Sequence, residues 1–482
     1  MAGYNAYFMT QIVGRNNEKA LFNSTLQSKK SELIAVFGRR RIGKTFLIRE
    51  FFKNSICFEI TGIYNVTLKE QLQNFNNALL KFKTSKVKRP TNWIEAFHQL
   101  GLYLDSIQIK SKKVVFIDEF PWFDSAKSNF LPAFENFWNA YASKRKDIIV
   151  VICGSAASYI VNKIIRNKGG LHNRITQKIN LKAFNLHETQ QLLKKNNIVF
   201  TQYDVLQLYM AIGGIPYYID QISRGESVAQ AIDRLCFTKD GFLKSEFSNV
   251  FASLFAQHEN HERIIRILAS VRKGMTRNEM VQQSKLQSGG TLTKVLQELE
   301  DSGFIEKYLP YSGSKDALYR ITDEYSVFYI RFIENTKPAG NGYWLTMQQQ
   351  PAYKTWAGYS FETICMKHIA QIKESLKISG IHSTQGSWIE KGSETGAQID
   401  LLIDRNDNVI NLCEMKFYNT EFTIDKSYML AISNKIDAFK KSTQTRKSIF
   451  VTFITTYGIK ENEYSKQLVQ NSLDLEHLFI DL

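Results

Sequence analysis

Acid is in short supply in this 482-residue chain: 46 aspartates and glutamates stand against 62 lysines and arginines, for a formal net charge of +16. That excess favours a polyanionic partner, nucleic acid among them, at low to moderate salt. Cysteine is scarce as well. The five present (Cys57, Cys153, Cys236, Cys365, Cys413) are odd in number, widely spaced and set among apolar neighbours, which points to buried free thiols over disulfides or a zinc site. No apolar run approaches the roughly 18 residues that a membrane helix needs. Met1 to Thr10 also lacks the basic start and apolar centre of a signal peptide, so the expectation is a cytoplasmic protein with no membrane partner. With only 7 prolines, 44% hydrophobic and 22% charged residues, the composition carries no collagen-like, disordered or low-complexity signature. A chain this long exceeds a single core and is expected to form several domains.

What is present is chemically explicit. An apolar run, Leu33 to Phe37, leads into Gly38-Arg39-Arg40-Arg41-Ile42-Gly43-Lys44-Thr45, and an amphipathic run, Phe46 to Phe52, follows. The order is strand, glycine-bounded loop, helix, with the spacing G-x-x-x-x-G-K-T. Two glycines let backbone N–H groups turn inward around phosphate oxygens, and the helix N-terminus adds its partial positive charge. Lys44 is placed to reach β- and γ-phosphates and Thr45 to ligate Mg²⁺. The stretch predicts a nucleoside-triphosphate site.

A second anchor is Lys113-Val114-Val115-Phe116-Ile117-Asp118-Glu119-Phe120, a strand expected to be buried on both faces with acids at its carboxyl end, where ligands sit in parallel sheets. Asp118 suits Mg²⁺, directly or through water; Glu119 suits polarisation of the water that attacks a γ-phosphate. A third strand, Asp147 to Cys153, ends at Gly154-Ser155. Two readings of Ser155 remain: a sensor of the γ-phosphate or the attacking water, and an ordinary cap for the next helix. Gly14-Arg15 and Glu18 open a helix ahead of the loop, and the segment resembles the G-R-x-x-E entry of AAA+ and STAND-type ATPases; the resemblance implies a place over the nucleotide base, while a helix that merely packs on the domain is the other reading of Arg15. Gly213-Gly214-Ile215-Pro216 breaks the chain sharply after a helical segment, Tyr203 to Ile212.

Taken together, Gly14-Arg15 with Glu18, the G-R-R-R-I-G-K-T loop, I-D-E-F at Ile117 to Phe120, C-G-S at Cys153 to Ser155 and G-G-I-P at Gly213 to Pro216 resemble the archaeal-type P-loop ATPases of the STAND and AAA+ assemblage, over residues 10 to about 335. The resemblance implies ATP more strongly than GTP, a part for Gly214 and Pro216 near the nucleotide, and a finger role for Arg174, which if it acts in trans requires a homo-oligomer. No N-K-x-D guanine motif is evident.

From about Arg263 the pattern turns to short helices. Leu292, Val295, Leu296 and Leu299 recur at helical spacing, and Gly303 to Ile305 and Leu318 to Ile321 read as wing strands, so a winged helix is expected. Its would-be recognition helix carries Lys294 but also Glu298, Glu300 and Asp301, which repel phosphate and favour an interdomain or switching role over sequence reading. His258-Glu259-Asn260-His261-Glu262 reads as linker. Beyond it, Gly358 to Glu362 is expected to open a helix, Gln398 to Ile403 to form a strand, Asp404 to Asn408 a turn and Val409 to Phe417 a second strand. Glu414 and Lys416 are costly in that apolar segment unless paired or bound to metal. Asp400 on one strand beside Glu414 on the next supplies two carboxylates for a divalent ion, with Lys416 to orient and help deprotonate water. D-x13-E-x-K in this setting resembles the PD-(D/E)xK nuclease superfamily, and the preceding helix resembles the one that supplies a further acid, here Glu362. The residue before Asp400 is Ile399 where that superfamily commonly has proline.

The fold class expected is thus α/β: a P-loop AAA+-like ATPase core (1–180), a helical lid (181–254), a winged helix (255–335), a linker (336–355) and a small restriction-endonuclease-like α/β domain (356–482) acting on DNA. Two functions are open: an ATP-controlled, Mg²⁺-dependent nuclease, or an ATP-regulated DNA- or protein-binding module whose nuclease fold is inactive.

Overall fold

The computed structural model describes residues 12–83, 88–109, 111–166, 169–255, 257–271, 274–286, 290–311, 316–337, 342–390 and 397–482. Met1 to Thr10, the middle of the basic run Lys81 to Arg89, and Pro338 and Gly340 of the expected linker lie outside the described residues. Two units are distinguished, residues 1–183 with 297–303, and residues 184–296 with 304–482.

The first unit is built on β1 (Glu32–Phe37), β2 (Ile56–Thr61), β3 (Lys113–Asp118), β4 (Ile148–Gly154) and β5 (Gln177–Asn180), all parallel, in the order β2-β3-β4-β1-β5. Every residue of β1, β3 and β4 is buried. A strand covered on both sides has no solvent face, which is why the three are apolar throughout except at the ends of β1 and β3, where Glu32, Lys113 and Asp118 stand. Helices α1 (Asn16–Gln27), α2 (Lys44–Phe52), α3 (Leu68–Phe82) and α4 (Trp93–Ser106) belong to the same unit. Trp93 and Phe97 of α4 pack on Phe130, whose ring also meets Phe120 edge-on at 4.9 Å. This aromatic block fixes the chain directly after Glu119, so core packing and site geometry share residues.

In the second unit, the helices Leu186–Lys195 and Gln202–Ile212 start at capping boxes made by Asn185 with Glu188 and Thr201 with Asp204. A three-stranded antiparallel sheet follows, β6 (Met275–Thr276), β7 (Ile305–Tyr308) and β8 (Leu318–Ile321), in the order β6-β8-β7. The last sheet comprises β9 (Ser383–Ile389), β10 (Gln398–Arg405), β11 (Val409–Lys416), β12 (Ser448–Thr455) and β13 (Asn471–Leu473) in the order β13-β12-β11-β10-β9, antiparallel from β9 to β11 and parallel from β11 to β13.

Three expectations change. The stretch 336–355 is no plain linker: it contains the helix Tyr343–Gln348 and the start of the helix Pro351–Lys367, and Trp344 is buried against Phe237, Phe328 and Trp356. Gly358 therefore lies inside a helix that Pro351 begins, since proline is tolerated at the first helical position. His258 to Glu262 is also helical, the first turn of His258–Ala269, with the buried His261 ring stacked on Phe255 at 3.8 Å. In each case tertiary burial outweighs polar or glycine-rich local sequence.

Candidate functional sites

At the end of β1, Gly38 has φ +136°, and a Cβ there would collide with the carbonyl oxygen of Leu181, held close because the Leu181 N–H donates to the Phe37 carbonyl at 2.8 Å. Arg41 (φ 70°) and Gly43 (φ 86°) complete the turn into α2. The buried Arg15 donates to the Ile42 carbonyl at 3.2 Å, so this side chain braces the loop from the cap position ahead of α1. Of the two readings of Arg15, packing is the one these contacts support.

Lys44, 7% exposed, folds back over the loop and donates from Nζ to the carbonyls of Gly38 (2.9 Å) and Arg39 (2.7 Å). Burial pushes its ammonium pKa down, while Cys153, Glu119 and Asp118 around it act to raise it and Arg40 to lower it. Thr45 Oγ1 donates to Asp118 Oδ2 at 2.9 Å, which brings the first residue pair of α2 and the tip of β3 to one point. Asp118 Oδ1 accepts the Glu119 N–H at 3.0 Å. Glu119 takes φ 45°, a left-handed conformation uncommon for this residue, and its carboxylate is held by Ser155, through the backbone N–H (3.2 Å) and through Oγ at 3.2 and 3.0 Å. Neither earlier reading of Ser155 describes this contact: the next helix is capped by Ala156 with no side-chain bond, and the Ser155 hydroxyl faces Glu119.

Arg174 is exposed, in the turn before β5. Gly214 and Pro216 lie in the second unit. There Gly213 ends its helix at φ +67° with its Cβ position 2.9 Å from Glu324 Oε2, a Cβ at Gly214 would run into the Phe184 carbonyl, and Pro216 starts the short helix Pro216–Ile219. Close packing thus supplies its own reason for both glycines.

The second unit also holds the C-terminal acids. Leu401 pairs with Cys413 across β10 and β11, so Asp400 and Glu414 are the next residues along the two strands. Glu414, 5% exposed, accepts from Lys435 Nζ at 2.6 Å and from the Tyr428 hydroxyl at 3.1 Å, with Lys416 Nζ at 3.5 Å. Burial first, and then the Glu414 charge, drive the Tyr428 phenol pKa upward, with Asp400 contributing in the same direction. Asp400 itself accepts from the Gln398 amide. Glu362 and Asp400 both line a cavity of about 630 Å³. Among the described residues, no three His, Cys, Asp or Glu side chains stand together as a ready metal-binding group. Glu414 is instead matched by ammonium groups. Lys435 and Tyr428 had not been singled out from sequence. A signal existed: 428, 432, 435 and 439 fall on one face of the helix Lys426–Thr443, where Ile432 and Phe439 are buried, so a lysine in that stripe needs an acid opposite.

All five cysteines are free and buried, as expected. No helix among the described residues is long and apolar enough to cross a membrane.

Residues 13–222 match a family described as an ATPase domain predominantly from Archaea. Over 415 residues the chain is 24% identical to the uncharacterized protein MJECL04 of Methanocaldococcus jannaschii, covering 84% of this chain and 87% of that one. A 48-residue stretch, 10% of this chain, is 38% identical to the uncharacterized ATP-binding protein MJ0423 of the same organism, covering 81% of it. Among solved structures, the Walker-type ATPase PABY2304 of Pyrococcus abyssi aligns with a TM-score of 0.49 at 17% identity, covering 67% of this chain and 97% of that one.

Proposed function

We propose that the archaeal-type ATPase domain carried by residues 13–222 is the nucleotide switch of a protein whose C-terminal nuclease-like domain, preceded by a winged helix, acts on DNA with a divalent metal. The observation that carries the switch is the convergence of Lys44, Thr45, Asp118 and Glu119 at the carboxyl ends of β1 and β3. Hard oxygens from Thr45 and Asp118, 2.9 Å apart, fit Mg²⁺, and the left-handed turn at Gly43, with nothing within 4 Å of its Cβ position, fits a phosphate. Bound Mg²⁺ supplies Lewis-acid charge to the phosphates. Lys44 exchanges the Gly38 and Arg39 carbonyls for β- and γ-phosphate oxygens. Glu119 leaves Ser155 to orient the attacking water and take its proton; Ser155 therefore holds the base until nucleotide arrives. Arg174, exposed in the turn before β5, is the further group proposed to act on the nucleotide, from a second copy of the chain.

In the C-terminal domain, Asp400, Glu414 and Glu362 are the proposed metal ligands and Lys416 the group that orients water. A second reading has its own support: Lys435, Lys416 and Tyr428 already satisfy Glu414, an arrangement equally suited to a fold that binds DNA without cutting it. The test is loss of plasmid and single-stranded DNA with Mg²⁺ or Mn²⁺, with and without ATP, beside Glu414→Ala. Metal-dependent loss that the substitution abolishes supports the nuclease. No loss under any condition, with ATP still hydrolysed, leaves the binding module.

A further inference from the structure

The 630 Å³ cavity lies within the second unit and carries more than Glu362 and Asp400. Its wall includes Tyr308 of β7, Arg320 of β8, and Tyr359, one turn ahead of Glu362 on the same helix; Arg331 completes it. Arg320 is committed: it pairs with Glu306 and lies 4.7 Å above the Tyr308 ring. Arg331 and Tyr359 are exposed. A planar aromatic face, an exposed guanidinium and four carboxylates, Glu362 and Asp400 with Asp323 and Glu324, therefore bound one space.

We infer that this cavity admits an unpaired nucleotide unit bearing a phosphate, its base on Tyr359 and its phosphate on Arg331, with Glu362 and Asp400 beside the phosphate. The inference rests on the nuclease-like reading of those acids and narrows its substrate. Volume decides against a duplex: this space is in the range of small-ligand pockets, about 300–1,000 Å³, and encloses one or two nucleotides. Enzymes that work in such pockets take the nucleotide out of its stack or use single strands, and each base stacked on an aromatic ring contributes roughly 1–3 kcal/mol without regard to sequence. A phosphate on Arg331 adds a charge-assisted, bidentate contact.

The test uses the full chain in Ca²⁺, which permits binding without cleavage, and reads fluorescence anisotropy of a labelled 12-nucleotide single strand, a blunt hairpin duplex, and unlabelled thymidine monophosphate as competitor. The single strand is expected to bind at least about tenfold tighter than the duplex, and Tyr359→Ala with Arg331→Ala to weaken it about 10- to 100-fold. Tyr359→Phe, which keeps the ring, is expected to bind like wild type. Competition by the monophosphate tells whether a free nucleotide suffices or a strand is needed. Equal affinity for duplex and single strand, or an unchanged double variant, overturns the inference. DNA cleavage scored in parallel separates the two claims. Glu414-dependent cleavage that persists while strand binding ignores Tyr359 and Arg331 sinks only this inference; strand binding through these residues with no cleavage sinks only the nuclease.

Discussion

The phosphate-loop site and the C-terminal acid site use similar parts, two acids at strand positions with lysine nearby, yet satisfy them differently. In the first, neutral donors hold the acids: Thr45 bonds Asp118, and Ser155 bonds Glu119. Its lysine rests on carbonyls. In the second, Lys435 and Lys416 meet Glu414 directly. Hydroxyls are readily exchanged for a cation, whereas a buried carboxylate matched by ammonium gives up a charge pair before it can take one. On the function proposed, the first arrangement takes up a nucleotide and its metal by exchanging neutral hydrogen bonds. The second has to rearrange.

The widest separation between the sites comes from removing Glu119's charge. Glu119→Gln is expected to slow ATP hydrolysis about 1,000-fold while ATP still binds, read by phosphate release and by a fluorescent nucleotide. Hydrolysis within a few fold of wild type breaks the first half of the comparison.

Next in size is a pH response confined to the second unit. His368 is wholly buried, its Nδ1 at 2.8 Å from the Ile364 carbonyl and its Nε2 accepting the Leu186 N–H at 3.0 Å, and burial lowers its pKa from 6.5 to about 4. The unfolded chain therefore binds the proton more readily between those values. Stability from this group is full above about pH 6.5 and is lost as pH falls towards 4, on the order of 3 kcal/mol in all. The histidines of the first unit, His98 and His172, are exposed. Hydrogen exchange between pH 7 and 4.5 should show the second unit loosening first; a His368→Gln variant that keeps the same slope contradicts this.

Ser155→Ala removes one hydrogen bond to a charged group and is expected to change the hydrolysis rate about tenfold, with nucleotide affinity kept. Smallest is the exchange at Glu414. Lys435→Met should raise Mn²⁺ affinity of the C-terminal site several fold, up to about tenfold, measured by calorimetry on the chain with Lys44→Ala to silence the first site. Unchanged or weaker Mn²⁺ binding would show that Lys435 supports the site instead of competing for it.

What could be read from the chain follows the range of the interactions. Gly38 to Thr45, β3 with Asp118 and Glu119, and β4 are local patterns, each an apolar strand followed by its candidate site residues, and the strands lie where the spacing put them. The β10–β11 pairing was equally legible, because a short turn joins the two strands; it spans Asn406 to Asn408, Asp404 and Arg405 being part of β10. Stretch 336–355 was not, since the burial of Trp344 depends on Phe237, 107 positions earlier in the chain, as well as on Phe328 nearby. Lys435 escaped notice because its partner is on another element, 21 residues back. Ser155 was found, but its bond to Glu119 depends on how β3 and β4 sit side by side.

Phosphate release from ATP and Mg²⁺ by the full chain, wild type against Glu119→Gln on the same day and at the same protein concentration, tests the central claim most directly. Turnover by the wild type, with nucleotide bound but unhydrolysed in the variant, is the expected result. Equal rates in the two, or no turnover by a wild type that binds ATP, would contradict the assignment of Glu119 and the switch built on it.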